Sequence, residues 1–196
     1  MTAFRLGLTG SIGMGKSTTA GFFADEGLPV WDADAVVHRL YARGGAAASA
    51  LAPHFPEAVF DGTVDRIALK SRIAHDPGTL PLLESLIHPL VAADRTRFLA
   101  SAPADIMIFD IPLLFEKGTE GQMDATLLVT APACLQRARV LARPGMTEQQ
   151  FETLRTRQMP DAQKRNLATH IVETLSFDST RAYVIALIAH IRARHA

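Results

Sequence analysis

Cysteine is nearly absent from this chain: Cys134 is the only one among 196 residues. A single thiol excludes an intrachain disulfide and any cysteine-rich zinc site. Long apolar runs are missing as well, since none approaches the roughly 18 residues that a membrane-spanning helix needs. Near the N-terminus no charged segment leads into an apolar stretch and a cleavage site. The expectation is a soluble, cytoplasmic protein with no membrane partner. Net charge is also lacking, because 20 basic side chains balance 20 acidic ones. No overall field therefore draws the chain to nucleic acid.

What remains is 48% hydrophobic and 20% charged, enough for one α/β core with inserted subdomains. Charge is unevenly distributed along it. Between Arg137 and Arg165 lie seven basic residues against Glu148, Glu152 and Asp161, a local excess that suits an anionic ligand.

The most informative stretch is Gly10-Ser11-Ile12-Gly13-Met14-Gly15-Lys16-Ser17, with Thr18 after it. It reads as G-x-x-x-x-G-K-[ST], the phosphate-binding loop, whose glycines let successive N–H groups turn inward at phosphate oxygens. Lys16 would reach the β- and γ-phosphates, and the Ser17 hydroxyl would ligate Mg²⁺. Context supports the motif. Phe4 to Thr9 reads as a buried strand and Lys16 to Glu26 as a helix closed by Gly27, so strand, loop and helix follow in the required order. The alternative, a glycine-rich turn with a solvated lysine, does not require that order.

A second apolar run, Leu28 to Trp31, ends in Asp32-Ala33-Asp34. Ligands gather at the carboxyl ends of parallel strands, and if the strand persists through Asp34 both carboxylates point the same way. One could hold a Mg²⁺-bound water while the other accepts the proton of an attacking hydroxyl. Alternatively, Asp34 caps a helix over Ala35 to Ala42, whose apolar stripe includes Val36, Val37, Leu40 and Tyr41. From Gly44-Gly45 the pattern becomes that of a helical insertion, with periodic segments at Arg66 to Ala74 and Leu80 to Leu99, the latter interrupted at His88-Pro89.

A third strand, Ile106 to Phe109, ends in Asp110, where P-loop proteins place a carboxylate that supports Mg²⁺. The following Ile111 to Gly118 is an apolar loop with one acid, Glu116, suited to lining a pocket. Ala125 to Val129 reads as a fourth strand. The helix after it carries Arg137, Arg139 and Arg143, the last two as i, i+4 neighbours able to converge on one phosphate. Pro144-Gly145 and Pro160-Asp161 break the helical segments that follow, giving a lid-like pair. His170 to Val172 is a fifth strand and Ser179 to Ala196 a closing helix.

Taken together, Leu8 to Thr18, Asp32-Ala33-Asp34, Ile87-His88-Pro89-Leu90-Val91, Asp110 to Glu116 and Gln158-Met159-Pro160 closely resemble the dephospho-coenzyme A kinase family, in order and over nearly the whole chain. The resemblance implies a P-loop NTPase fold with a five-stranded parallel sheet flanked by helices. It implies a core of residues 1–43, 104–136 and 166–196, an acceptor-binding insertion at 44–103 and a lid at 137–165. The implied reaction transfers the γ-phosphate of ATP, with Mg²⁺, to the ribose 3′-hydroxyl of dephospho-coenzyme A, with no obligate protein partner. Residue by residue it implies that Gly10 to Thr18, Arg139 and Arg143 bind ATP, and that Lys16 and Arg143 assist transfer. Asp34 becomes the base, Ser17 and Asp32 the metal-side residues, and Asp34, His88, Leu113 and Glu116 the acceptor side. The chain departs from the family pattern at Thr169, where an aspartate is usual, and at Leu154, where an arginine is usual.

Another small-molecule kinase, for instance one acting on nucleoside monophosphates, would share the loop and lid. A guanine-nucleotide switch is disfavoured, because Asn-Lys-x-Asp is impossible when the only asparagine, Asn166, precedes Leu167. An ATP-driven motor would be expected to carry a glutamate beside Asp110, where Ile111 stands.

Overall fold

The computed structural model describes residues 3–101 and 104–195. In chain order it contains β1 (Phe4–Thr9), α1 (Lys16–Asp25), β2 (Val30–Asp32), α2 (Ala33–Tyr41), α3 (Ala46–Leu51), β3 (Val59–Phe60), β4 (Thr63–Val64), α4 (Arg66–His75) and α5 (Thr79–Ser101). There follow β5 (Ile106–Asp110), β6 (Ala125–Thr130), α6 (Ala133–Leu141), α7 (Glu148–Thr156), α8 (Asp161–Leu167), β7 (His170–Glu173) and α9 (Phe177–His195). The chain divides into two units, one formed by Met1–Trp31 with Pro103–Ala196 and the other by Asp32–Ala102.

In the first unit the strands order as β2-β5-β1-β6-β7, with β1 parallel to both β5 and β6, and β6 parallel to β7. This is the five-stranded parallel sheet expected from the sequence. Every residue of β5 and β6 is buried, which explains why they read as continuous apolar runs rather than alternating ones. One sheet face presents Leu6, Leu8, Ile106, Ile108, Leu127 and Val129, and α1 and α9 close it with Phe22, Phe23, Val184, Leu187 and Ile188. On β1, Gly7 leaves no room for a side chain, because a Cβ there would lie 2.8 Å from Met123 Cγ. The central strand β1 has β5 on one side and β6 on the other, so its carboxyl end opens at the point where strand order reverses.

The second unit starts at Asp32, so it takes in α2, whereas the insertion was expected from residue 44. It is not wholly helical. Asp61 and Gly62, with φ of 48° and 70°, form the tight turn between β3 and β4, the backbone twist a two-residue hairpin prefers. Asp65 caps α4, accepting from Ile67 N and Ala68 N. Arg39 of α2 reaches Asp94 of α5 at 3.3 Å. The expected interruption at His88-Pro89 is absent: α5 runs unbroken from Thr79 to Ser101 with Pro89 inside it. Proline removes the N–H that would meet the Ser85 carbonyl. Ser85, His88 and Pro89 are all exposed, so that carbonyl faces water and the helix survives the lost bond. The expected end of the insertion at residue 103 and the last residue of the closing helix, Ala196, lie outside the described residues.

Candidate active site

At the carboxyl end of β1 the chain turns through Gly10 to Gly15 and enters α1 at Lys16. Gly13 and Gly15 adopt φ of 77° and 93°, the left-handed region where a side chain is strained. Gly13 is also pressed against α6, since a Cβ would fall 2.4 Å from Val140 Cγ2. Gly15 occupies the cap position of α1 and provides no side chain to meet the first-turn N–H groups, nor does any acid lie in that turn. Those N–H groups and the positive end of the helix suit an anion. Ser17 and Thr18 stand exposed in the first turn. The Lys16 ammonium pairs with the carboxylate of Asp110, which is buried at the end of the neighbouring strand β5. Loop lysine and strand-end aspartate therefore meet, as the sequence suggested for a phosphate and metal site.

The loop is held from behind by polar side chains, of which only Gln158 lies in a segment that the sequence marks. Gln136 of α6 donates from Nε2 to the Ile12 carbonyl at 2.8 Å, while Gln158 accepts the Ile12 N–H at Oε1 at 3.0 Å. Both main-chain polar groups of Ile12 are thus held, each by a glutamine from a different part of the chain. The Thr174 hydroxyl, just past β7, donates to the Met14 carbonyl at 2.8 Å. Ala131 N–H in turn points at Met14 Sδ, 3.1 Å away.

Arg139 belongs to this support. Its Nη1 donates to Thr174 Oγ1 at 2.8 Å and its Nη2 to the Thr174 carbonyl at 2.7 Å. The expectation that Arg139 and Arg143 share a helix face does not hold, because α6 ends at Leu141 with Ala142 as its cap, and Arg143 lies exposed beyond it. The Pro-Gly turn ends α6 earlier than the basic pattern suggests. Past that turn, Thr147 and Gln150 form a reciprocal capping box that starts α7. Arg137 Nε donates to Glu148 Oε1 at 2.9 Å, and that bond raises the Arg137 pKa above its ordinary value.

Glu116 sits in the loop after β5. Its Oε1 accepts the Met159 N–H at 2.9 Å and lies 2.8 Å from Nζ of Lys164, a side chain with 0% exposure. The lysine meets Glu116 by charge and distance without the alignment of a hydrogen bond, and Glu116 Oε2 is buried with no hydrogen-bond partner among the described residues. Leu113 of the same loop is exposed. Near α8, Asp161 accepts from Thr130 Oγ1 at 2.9 Å and from Arg165 Nε at 2.7 Å, and the bond to Asp161 raises the Arg165 pKa.

The remaining expected residues belong to the second unit. There the strand does not continue through Asp34. It ends at Asp32, whose Oδ1 accepts the Ala35 N–H at 2.9 Å and caps α2. The capping role considered for Asp34 therefore falls to Asp32, since α2 begins at Ala33, two residues before the expected start. Asp34 lies exposed in the first helical turn, and His88 lies exposed on α5. The Thr169 departure is at the opposite end of the sheet from the loop: its hydroxyl accepts from Thr126 N at 3.2 Å and its N–H donates to Thr126 Oγ1 at 3.0 Å, at the amino ends of β6 and β7.

Comparison with known proteins joins these features. A sequence model of the dephospho-CoA kinase family matches residues 4–177. The dephospho-CoA kinase of Cereibacter sphaeroides is 66% identical over 98% of this chain and 98% of its own length, and that of Ruegeria pomeroyi is 55% identical over 97% and 96%. Among solved structures, a Thermus thermophilus protein superposes with a TM-score of 0.87 at 37% identity, covering 97% of this chain and 98% of its own. With the phosphate loop, its paired lysine and aspartate and the parallel sheet all in place, the chain belongs to the dephospho-CoA kinase family.

Proposed function

We propose that the protein transfers the γ-phosphate of ATP to the ribose 3′-hydroxyl of dephospho-coenzyme A, giving coenzyme A and ADP in the last step of coenzyme A biosynthesis. The observation that carries the reading is the pairing of Lys16 with Asp110 beside the uncapped start of α1, in a chain of this family. Loop N–H groups and Lys16 would cradle the phosphates, and the lysine would stabilise charge moving between the β- and γ-phosphates. The triphosphate competes with Asp110 for the same ammonium. Arg143, exposed beyond α6, is the arginine we assign to the phosphates. Both bonding nitrogens of Arg139 are on Thr174, so it serves ATP through the loop that it braces.

The donor set suits Mg²⁺. Among the described residues no group of three or more His, Cys, Asp or Glu side chains could hold a metal by itself. A hard cation bound mainly by phosphates and water, with a few oxygen ligands from the protein, is the usual Mg²⁺ arrangement. Ser17 Oγ and Asp110 would supply such ligands, and Asp32 is also assigned to the metal side. When bound, the ion would neutralise the phosphate oxygens.

Asp34 is assigned as the base for the 3′-hydroxyl, and His88, Leu113 and Glu116 to the acceptor side. Because Asp32 provides the cap, Asp34 is left with chemistry to do rather than a helix to start. The lone exposed thiol, Cys134, suits a reducing compartment, and we assign the protein to the cytoplasm. The test is ADP release with ATP, Mg²⁺ and dephospho-coenzyme A, for the wild type and Asp34→Asn. Removing a general base lowers turnover by about 10²- to 10⁴-fold, with melting temperature unchanged because the cap is untouched. Near-normal turnover of Asp34→Asn would remove the base assignment.

A further inference from the structure

We propose that Glu116 and Lys164 are positioning residues for phosphoryl transfer, a buried ion pair that fixes the Gln158–Met159 turn and through Gln158 sets the backbone of the phosphate loop at Ile12. The inference rests on the kinase reading above only for its turnover readout.

The connection is continuous. Lys164 Nζ lies 2.8 Å from Glu116 Oε1, that oxygen accepts the Met159 N–H at 2.9 Å, and the adjacent Gln158 accepts the Ile12 N–H at 3.0 Å. Pro160 follows and has no N–H, so Met159 carries the last main-chain donor of the turn before α8. Capture of that donor fixes the turn. Ile12 is then held at both its N–H and its carbonyl, because Gln136 donates to the carbonyl at 2.8 Å. Since the Ile12 N–H is spent on Gln158, its contribution is to set the curl that aims the later N–H groups of the loop. Preorganised donors are effective when their supports are rigid, and small displacements at a distance from the chemistry lower rates steeply.

Stability alone is a poor reason for this pair. Lys164 is 0% exposed and the Glu116 side chain 15% exposed, so both charges lose most of their hydration. Their geometry does not repay it fully, because among the described residues Glu116 Oε2 has no hydrogen-bond partner and Lys164 is not aligned for one. Replacing such a pair with apolar residues of similar volume is often neutral or stabilising. A pair kept despite that cost is accounted for by what it holds. The ammonium stands against the carboxylate as its counter-charge, and the carboxylate holds Met159.

The experiment compares the wild type with the double variant Glu116→Met/Lys164→Met and the single variant Gln158→Met. It measures melting temperature, equilibrium ATP binding without acceptor, and steady-state constants for both substrates. The double variant should melt at or above the wild-type temperature, yet bind ATP about 10-fold more weakly and lose about 10²-fold in kcat/KM for ATP. For Gln158→Met, in which Glu116 stays in place, the KM for dephospho-coenzyme A should stay within about 3-fold, a split that a general loss of structure would not produce. Gln158→Met, which leaves the ion pair intact, should reproduce the ATP-side loss, and it decides the matter if the double variant does not fold. Wild-type ATP binding in Gln158→Met, or in a folded double variant, would overturn the proposal. A double variant whose loss is confined to the acceptor KM would also overturn it and leave Glu116 with its acceptor role alone. Because ATP binding is read without acceptor, failure of the acceptor assignment leaves this test standing.

Discussion

The two ends of the parallel sheet solve the same problem, where to put polar groups, in opposite ways. At the amino ends of the strands charges meet in water: Arg5 with Asp124, and Asp105 with Arg192, all substantially exposed. At the carboxyl ends polar groups are taken inside, including Asp110, Thr130, Gln136, Thr174 and Lys164. Exposed pairs contribute little and are screened by salt, whereas buried polar groups carry a desolvation cost that must be met by partners. The difference locates the working end. A sheet that needed only to fold would have no reason to bury this many polar groups beside one loop.

The largest effect should come from Lys16→Ala, which removes the loop's cation and should lower turnover by about 10²- to 10³-fold or more. Wild-type turnover would show that the carboxyl end is not where transfer occurs. Next, Arg139→Ala breaks two charge-assisted bonds to Thr174 and should cost about 1.5–3 kcal/mol of unfolding stability in denaturant titration. Arg143→Ala should change stability by less than about 0.5 kcal/mol while lowering turnover. Equal stability losses in the two variants would erase the distinction between bracing arginine and phosphate arginine. At the amino end, Arg192→Ala should cost under about 1 kcal/mol, and the difference should vanish in high salt. A larger, salt-resistant loss would mean that this end too stores energy in its ion pairs.

The smallest effect concerns His170, the first residue of β7, whose ring packs edge-on against His190. Burial, then the charges of His190 and Arg194, hold its pKa below 6.5. As pH falls the unfolded chain therefore takes up this proton before the folded one. The stabilisation is complete above pH 6.5 and is lost as pH falls through the lower folded value. His170→Gln should show a shallower decline in melting temperature over that interval. An unchanged decline would assign it to other groups.

Much of the carboxyl end is legible in the chain itself. The apolar runs of β1, β5 and β6 read as buried strands because parallel strands are covered on both faces, and the spacing of Gly10, Gly15 and Lys16 fixes the loop. The boundary at Asp32 is not legible in the sequence, because two aspartates, each as good a cap as the other, stand two residues apart, and local preference cannot choose between them. Pro89 reads as a break unless one knows that its side of α5 faces water. Arg139 looks like a phosphate ligand because its partner, Thr174, is 35 residues away and carries no mark of that role. Lys164 lies in an unremarkable polar stretch, and only the packed structure shows that its charge is buried. Gln158 could be flagged through its Gln-Met-Pro segment, though its grip on Ile12 depends on how two distant loops meet.

Thr174 also sets an order of events during synthesis. Its hydroxyl is the partner of the Met14 carbonyl across a separation of 160 residues. The loop's own residues are made well before the residue that fastens them. The phosphate loop, made early, is therefore completed late. A ligand that binds only the finished loop adds its binding free energy to the folded state alone. ATP, present throughout translation, thus rewards the chain only after β7 has joined the sheet.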